Sequence, residues 1–273
     1  MPELPEVETV RSGLAKHVEG QVMQQVILRR ANLRYPFDPN LSAILQGQKL
    51  RQLKRRAKYL LFEFERGTLL IHLGMTGVLK MVQPAEPVQK HDHVDLVFEQ
   101  QILRFNDVRR FGAVLWIDDP DTHPLLLHLA PEPLSDEFSG DYLFQVFNKT
   151  SRPVKLALMD QALVVGVGNI YANEALFAVG VHPERPANTL GQEECDKLVA
   201  AVKLILKEAI IQGGTSLKDF LNAEGKPGYF RQELKVYGRK GESCVVCKAQ
   251  VCKTVLGQRA TYFCPQCQTN EKR

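Results

Sequence analysis

The sequence predicts an α+β protein of two domains, an antiparallel β-sandwich or flattened barrel followed by a helical half that ends in a metal-binding finger. Three observations lead there. From residue 21 to residue 118 the chain reads as short β-like runs with no helix between them. Past Pro131-Glu132-Pro133 the apolar period becomes helical. Near the C-terminus, Cys244-x2-Cys247 and Cys264-x2-Cys267 are separated by sixteen residues, within the spacing of a zinc ribbon.

The first element is a helix over 5–19. Val7, Val10, Leu14 and Val18 share one face, Pro5 and Glu6 suit a helix start, and Gly20 is placed to end it. The strands follow over 22–28, 49–55, 59–64, 69–73, 94–98, 102–105 and 113–117. Arg66-Gly67, Gly74, Gly77, Pro84 and Pro87 supply turns between most of them. Strands joined without helices pair antiparallel. Pro131-Glu132-Pro133 reads as the interdomain linker. Helices are then expected over 141–147, 154–159, 169–179 and 192–212. Before the third, Val165 to Asn169 forms a Gly-rich turn into a helix start, a place where amides bind phosphate, although Gly-x-Gly alone is a weak motif. A long polar stretch with four glycines runs over 213–228, and loops of that length are usually functional or mobile.

A chain of 273 residues with 44% apolar content can bury a substantial core. No apolar run approaches the ~18 residues of a membrane helix. Without a basic-then-apolar signal pattern at its start, a cytoplasmic protein is expected, or a nuclear one if eukaryotic. The net charge of +4 is unevenly spread: residues 29–58 hold nine Lys/Arg and one Asp, and 226–273 hold ten Lys/Arg and three Glu. The blocks carry +8 and +7, which leaves −11 on the rest. Two basic blocks on an acidic background suggest two faces of one polyanion site, with two solvated surfaces as the alternative.

Four thiolates in two knuckles, joined by a hairpin with Gly257 near its middle, suit one structural Zn²⁺. Disulfides are the alternative, disfavoured without a secretion signal. Cys195, in a helical stretch, and Cys252, outside the paired pattern, read as plain thiols.

The N-terminus offers chemistry. Removal of Met1 leaves Pro2 as a free secondary amine, and an α-amino group titrates near pH ~8. Such an amine attacks an aldehyde-like carbon and loses water only to a charged iminium, an electron sink for eliminations. Glu3, one residue away, could exchange protons with whatever the amine attacks. The same residues also simply start a helix.

Together the motifs resemble the bacterial formamidopyrimidine-DNA glycosylases, from residue 1 to Cys267. The carrying segments are MPELPEVETV at the start, RRAKYLL at 55–61, HLGMTG at 72–77, KHDHVDL at 90–96 and RRFGA at 109–113. VVGVGNIYANEALF at 164–177, GGTSLKDF at 213–220, GKPGYF at 225–230 and the QRATYFC of the finger complete the set. The resemblance implies an N-terminal β-sandwich with flanking helices over 1–131, and a helix–two-turn–helix module with a lesion-capping loop over 132–228. A zinc finger over 229–273 follows, with DNA in the cleft. It implies excision of oxidised purines (8-oxoguanine, formamidopyrimidines) from duplex DNA, followed by β,δ-elimination. Pro2 would form the Schiff base, Glu3 act as the acid and Glu6 support it, with Lys58 and Arg259 serving the two eliminations. Met75, Arg109 and Phe111 would fill the gap left by the flipped nucleotide. His91, Arg109, Lys155, Asn169 and Arg259 would contact phosphates. Ser216, Leu217, Lys218 and Tyr229 would cap the lesion.

The resemblance further implies a monomer, working in a bacterial cytoplasm on the nucleoid. Three positions depart from the family pattern: Thr150 stands where a basic residue is frequent, with Lys149 and Arg152 beside it, Ser12 replaces a frequent arginine, and Val108 a frequent proline. The alternatives are an endonuclease VIII-type enzyme for oxidised pyrimidines, which typically has Gly where this chain has Leu4, and a non-catalytic lesion-binding protein.

Overall fold

The computed structural model describes residues 2–99, 101–213 and 234–269. They form two compact units, one from the described parts of Met1–Leu127 and Gln212–Phe230, the other from His128–Ile211 with the described part of Arg231–Arg273.

The first unit opens with α1 (Leu4–Val18). Then come β1 (Gln25–Leu28), α2 (Leu41–Leu45), β2 (Gln52–Arg56), β3 (Tyr59–Glu63), β4 (Thr68–His72), β5 (Gly77–Val82), β6 (Asp92–Val97), β7 (Ile102–Asp107) and β8 (Ala113–Ile117). The strands make two four-stranded antiparallel sheets, ordered β1-β6-β7-β5 and β2-β3-β4-β8. Val94, Leu96, Leu103, Phe105 and Leu79 of one sheet share a single apolar cluster with Leu53, Leu60, Phe62, Leu69, Ile71 and Val114 of the other. The two sheets thus enclose a common core, which is the sandwich rather than the barrel. The expected α1 stripe of Val7, Val10, Leu14 and Val18 joins the same cluster.

In this unit two elements were not foreseen. Gly77 is not a turn residue but the first residue of β5, where a Cβ would stand 2.1 Å from the Leu73 carbonyl oxygen. Glycine permits this close approach of backbones. Helix α2 has only five residues, too few to show a period, and is held by buried Leu41 and Leu45. Elsewhere β1 is shorter than expected, because Val22 makes only an isolated bridge to Lys49.

One sheet contains a buried ion cluster. Register pairs Asp95 with Arg104 across β6 and β7. Arg104 donates to both Asp95 oxygens at 2.9 and 3.0 Å, and Arg29 adds a third donor at 2.5 Å. Burial works to raise the Asp95 pKa, but these guanidinium hydrogen bonds outweigh it and hold the carboxyl below its ordinary range.

The second unit contains α3 (Gly140–Phe147), α4 (Val154–Leu158), α5 (Asn169–Ala178) and α6 (Gln192–Ile211). Ser139 caps α3 by accepting from the Tyr142 amide at 3.1 Å. Phe147, Leu158, Tyr171, Leu176, Leu198 and Val202 are among its core. The antiparallel hairpin β9 (Cys252–Leu256) and β10 (Arg259–Phe263) belongs to the cysteine-rich end. That end has its own small cluster of Phe177, Val236, Val251, Cys244 and Cys264.

Candidate active site and nucleic-acid interface

Pro2, Glu3, Glu6 and Lys58 are all buried. Helix α1 starts at Leu4, one residue earlier than periodicity places it, so Glu3 is its N-cap. Glu3 and Glu6 form a capping box, with the Glu3 amide donating to Glu6 Oε2 at 2.8 Å. The local role of Glu6 is therefore to hold Glu3. Further along α1, Glu8 accepts from Arg55 Nε at 2.9 Å, and Arg55 Nη1 donates to the Ala57 carbonyl at 2.9 Å. Ala57 and Lys58 form the turn between β2 and β3, whose last pair is Arg56 with Tyr59, and Ala57 has φ 51°. The Arg55 fork thus ties the helix bearing Pro2 and Glu3 to the carbonyl just before Lys58. Sequence reasoning gave Glu8 and Arg55 no shared role, because a pair 47 residues apart leaves no local pattern.

In the same unit two turns carry Met75, half-buried, and Phe111, 45% exposed. Arg109 is exposed, with its guanidinium carbon 4.9 Å from the centre of the Phe111 ring. A Cβ on Gly74 would stand 2.5 Å from the Phe111 carbonyl carbon, so the two turns are in backbone contact. His72 precedes the first turn. Its Nδ1 accepts the Gly74 amide at 3.0 Å, and its ring centre lies 5.0 Å from that of Tyr59. Burial, then the charges of Lys58 and Arg34, push the His72 pKa down to about 4. His91 is half-buried, 6.3 Å from His93 in an edge-on arrangement.

In the second unit Lys155 is fully buried. Its ammonium donates to Thr261 Oγ1 at 2.6 Å and the Ala260 carbonyl at 3.1 Å. Asn169 donates to the same carbonyl at 3.0 Å, while its Oδ1 is buried with no partner among the described residues. Both side chains thus act on β10 beside Arg259, itself exposed at the strand's first position. Two residues that sequence reasoning missed also join α5 to this end. Asn173 Oδ1 accepts the Tyr262 amide at 2.7 Å, and Glu174 accepts the amides of Lys235, Val236 and Tyr237 at 2.9, 3.0 and 2.8 Å. Buried polar residues on an otherwise apolar helix were the available signal.

The four paired cysteines converge, with every Sγ within 4.8 Å of the others. Cys244 and Cys267 are 3.9 Å apart, and Cys247 and Cys264 are 3.4 Å apart. Amides of Val246 and Cys267 donate to Cys244 and Cys264 at 3.4 Å, as knuckles do around a metal. Such a donor set fits one metal ion held by thiolates. Cys195 and Cys252 are not part of the group; burial pushes the Cys195 thiol up to about 11. Ser216, Leu217, Lys218 and Tyr229 lie outside the described residues.

The chain matches two family models, the formamidopyrimidine-DNA glycosylase N-terminal domain over residues 1–114 and the formamidopyrimidine-DNA glycosylase H2TH domain over residues 129–220. Formamidopyrimidine-DNA glycosylases of Acidithiobacillus ferrooxidans and Shewanella amazonensis are each 54% identical to it, over 98% of this chain and 100% of theirs. The crystal structure of the MutM (Fpg) protein from Thermus thermophilus is similar at a TM-score of 0.89 and 40% identity, covering 99% of this chain and 100% of that one. Lactococcus lactis Fpg in complex with DNA containing an abasic site is similar at a TM-score of 0.90 and 35% identity, over 98% and 99% of the two chains. The same enzyme with N7-benzyl-Fapy-dG DNA is similar at 0.90 and 35%, over 98% and 100%.

Proposed function

The chain belongs to the formamidopyrimidine-DNA glycosylase family, and on that premise we propose how its own residues divide the work of excising oxidised purines from duplex DNA. It is a glycosylase with abasic-site lyase activity, and one amine can serve both bond cleavages. Residues 1–131 carry the nucleophile, 132–228 the DNA-binding module and 229–273 the finger.

A damaged base inside the stack is out of reach, so the nucleotide is flipped. The Pro2 nitrogen attacks C1′, the glycosidic bond breaks, and the base leaves with a proton. Glu3 supplies a proton as the sugar ring opens, and the ring nitrogen's lone pair forms the iminium. That cation acidifies C2′, so loss of a C2′ proton expels the 3′ phosphate. A second elimination expels the 5′ phosphate with the sugar. Lys58 serves the first elimination. An arginine side chain does not act as a proton donor in proteins, so Arg259 orients phosphate and stabilises charge in the second. Met75 and Phe111 enter the vacated stack, and Arg109 addresses the estranged cytosine. His91, Arg109, Asn169 and Lys155 act at the phosphate backbone, Lys155 by way of the β10 residues it holds. Beside Thr150, Lys149 and Arg152 supply the basic side chains, Arg152 sharing its charge with Asp160 at 2.6 Å. Ser216, Leu217, Lys218 and Tyr229 cap the flipped purine.

Cys244, Cys247, Cys264 and Cys267 would hold Zn²⁺, which supplies folding energy and no chemistry. The enzyme acts as a monomer on the bacterial nucleoid. The observation carrying the reading is the capping box together with the Arg55 fork, which fix Glu3 and the turn that holds Lys58 to the helix that follows the amine.

Two assays test this. A duplex with 8-oxoguanine opposite cytosine should be processed well ahead of one with thymine glycol; the reverse order would favour the pyrimidine enzyme. Borohydride should trap the protein on an abasic duplex. Pro2→Gly, or a protein retaining Met1, should lose the adduct while keeping lesion binding. Equal trapping by Pro2→Gly would overturn the mechanism.

A further inference from the structure

We propose that Asp107 and Thr76 are positioning residues that yoke the two wedge turns, so that Met75 and Phe111 enter the duplex as one rigid body. The inference rests on the wedge role assigned above. Asp107 ends β7 and is fully buried, and each of its polar atoms is engaged. Its amide donates to the His91 carbonyl at 3.0 Å, and its carbonyl accepts from His93 Nε2 at 2.9 Å. Its carboxylate reaches both turns. Oδ1 accepts from Thr76 Oγ1 at 2.6 Å, and Oδ2 accepts from the Gly112 amide at 2.8 Å.

Thr76 closes the loop. A carboxylate only accepts and a backbone N–H only donates, so the one hydroxyl proton points to Asp107. A lone pair of the same oxygen takes the Arg109 amide at 3.0 Å. The residue after Met75 is therefore bonded, directly or through one carboxylate, to Arg109 and Gly112 on either side of Phe111.

An isolated buried carboxylate is costly, and these turns could have packed on apolar groups alone. Here each carboxylate oxygen takes a hydrogen bond from a donor in one of the two turns, which marks it as a tie between them rather than a core feature. Phe111 is 45% and Val108 54% exposed, so this rigid mount presents apolar side chains to solvent. Separating stacked bases already costs free energy, and a wedge that also had to order itself would add to that cost. Preorganisation removes the second part.

The test is single-turnover excision from an 8-oxoguanine:cytosine duplex, alongside borohydride trapping on a single-stranded abasic oligonucleotide, where no stack must be entered. Thr76→Val should slow duplex excision about ten- to a hundredfold, the scale of a displaced catalytic contact. Single-strand trapping should stay near the parent rate. Thr76→Ser keeps the hydroxyl and should restore duplex excision. Met75→Ala should be slow, and adding Thr76→Val to it should cost little more, since the two would act as one unit. The yoke is overturned if Thr76→Val matches the parent on the duplex while Met75→Ala is slow, if it slows both substrates alike, if Thr76→Ser is equally slow, or if the two changes add. Should Met75→Ala itself match the parent, the wedge reading falls and the yoke with it.

Discussion

His72 shows what one side chain can be made to do by its surroundings. Its Nδ1 accepts an amide, so the ring must be neutral, and burial with Lys58 and Arg34 nearby holds its pKa at about 4 while Asp107 pulls weakly the other way. The unfolded chain titrates near pH ~6.5, so it binds more protons than the folded one between pH ~6.5 and ~4. Stability is therefore unaffected above that window, falls as pH drops through it, and levels off below. The loss amounts to roughly 3 kcal/mol for His72 alone. Asparagine can accept the Gly74 amide without titrating, so denaturant unfolding of His72→Asn across this window should show a flatter pH dependence than the parent. Equal slopes would remove His72 as the cause. At the same scale, Glu6→Ala should cost about 1 kcal/mol through the lost capping box, measured by thermal unfolding. The type and position of Glu6 were legible from sequence. Its task of holding the Glu3 amide was not, because capping depends on where the helix starts, and that was off by one residue.

Among elements, period and length decided what could be read. The α1 stripe was legible because one helix face is buried over several turns, and β8 because it is an unbroken run of five apolar residues. Strand β5 was not, since it begins at a glycine that looks like a turn and continues through Lys80. Gly77→Ala would bring a methyl against the Leu73 carbonyl oxygen, and should destabilise the protein by at least ~1–3 kcal/mol in chemical denaturation. Helix α5 was recognised as an element, but its service to the hairpin was hidden. Asn173 and Glu174 look like ordinary helix polar residues until β10 and the residues after 234 are seen bonded to them. Asn173→Ala leaves the Tyr262 amide buried without its acceptor, at a cost of about 1–3 kcal/mol. With Arg259 on that hairpin, products should shift from δ- toward β-elimination on a gel that separates the two ends. An unchanged product ratio would detach Arg259 from the second elimination.

For the whole molecule, charge was the coarsest guide. The basic block at 29–58 overstated the charge free for DNA, because Arg29, Lys54 and Arg55 are ion-paired with Asp95, Glu63 and Glu8. Cysteine spacing was the sharpest guide, since thiolate geometry leaves little choice of arrangement. The finger has a core of only a few apolar side chains, whereas the sandwich encloses its own large cluster. Stripping the metal should therefore abolish amide protection over 234–269 and leave the sandwich protected, as read by hydrogen exchange. Loss of protection throughout would mean the units share one cooperative transition.

The central claim, that the N-terminal proline amine is the nucleophile, is tested most directly by mapping the borohydride-trapped conjugate with peptide mass spectrometry. The account predicts the reduced sugar on the peptide that begins with Pro2, attached to its nitrogen. A sugar found on Lys58, or on any other lysine, would contradict it.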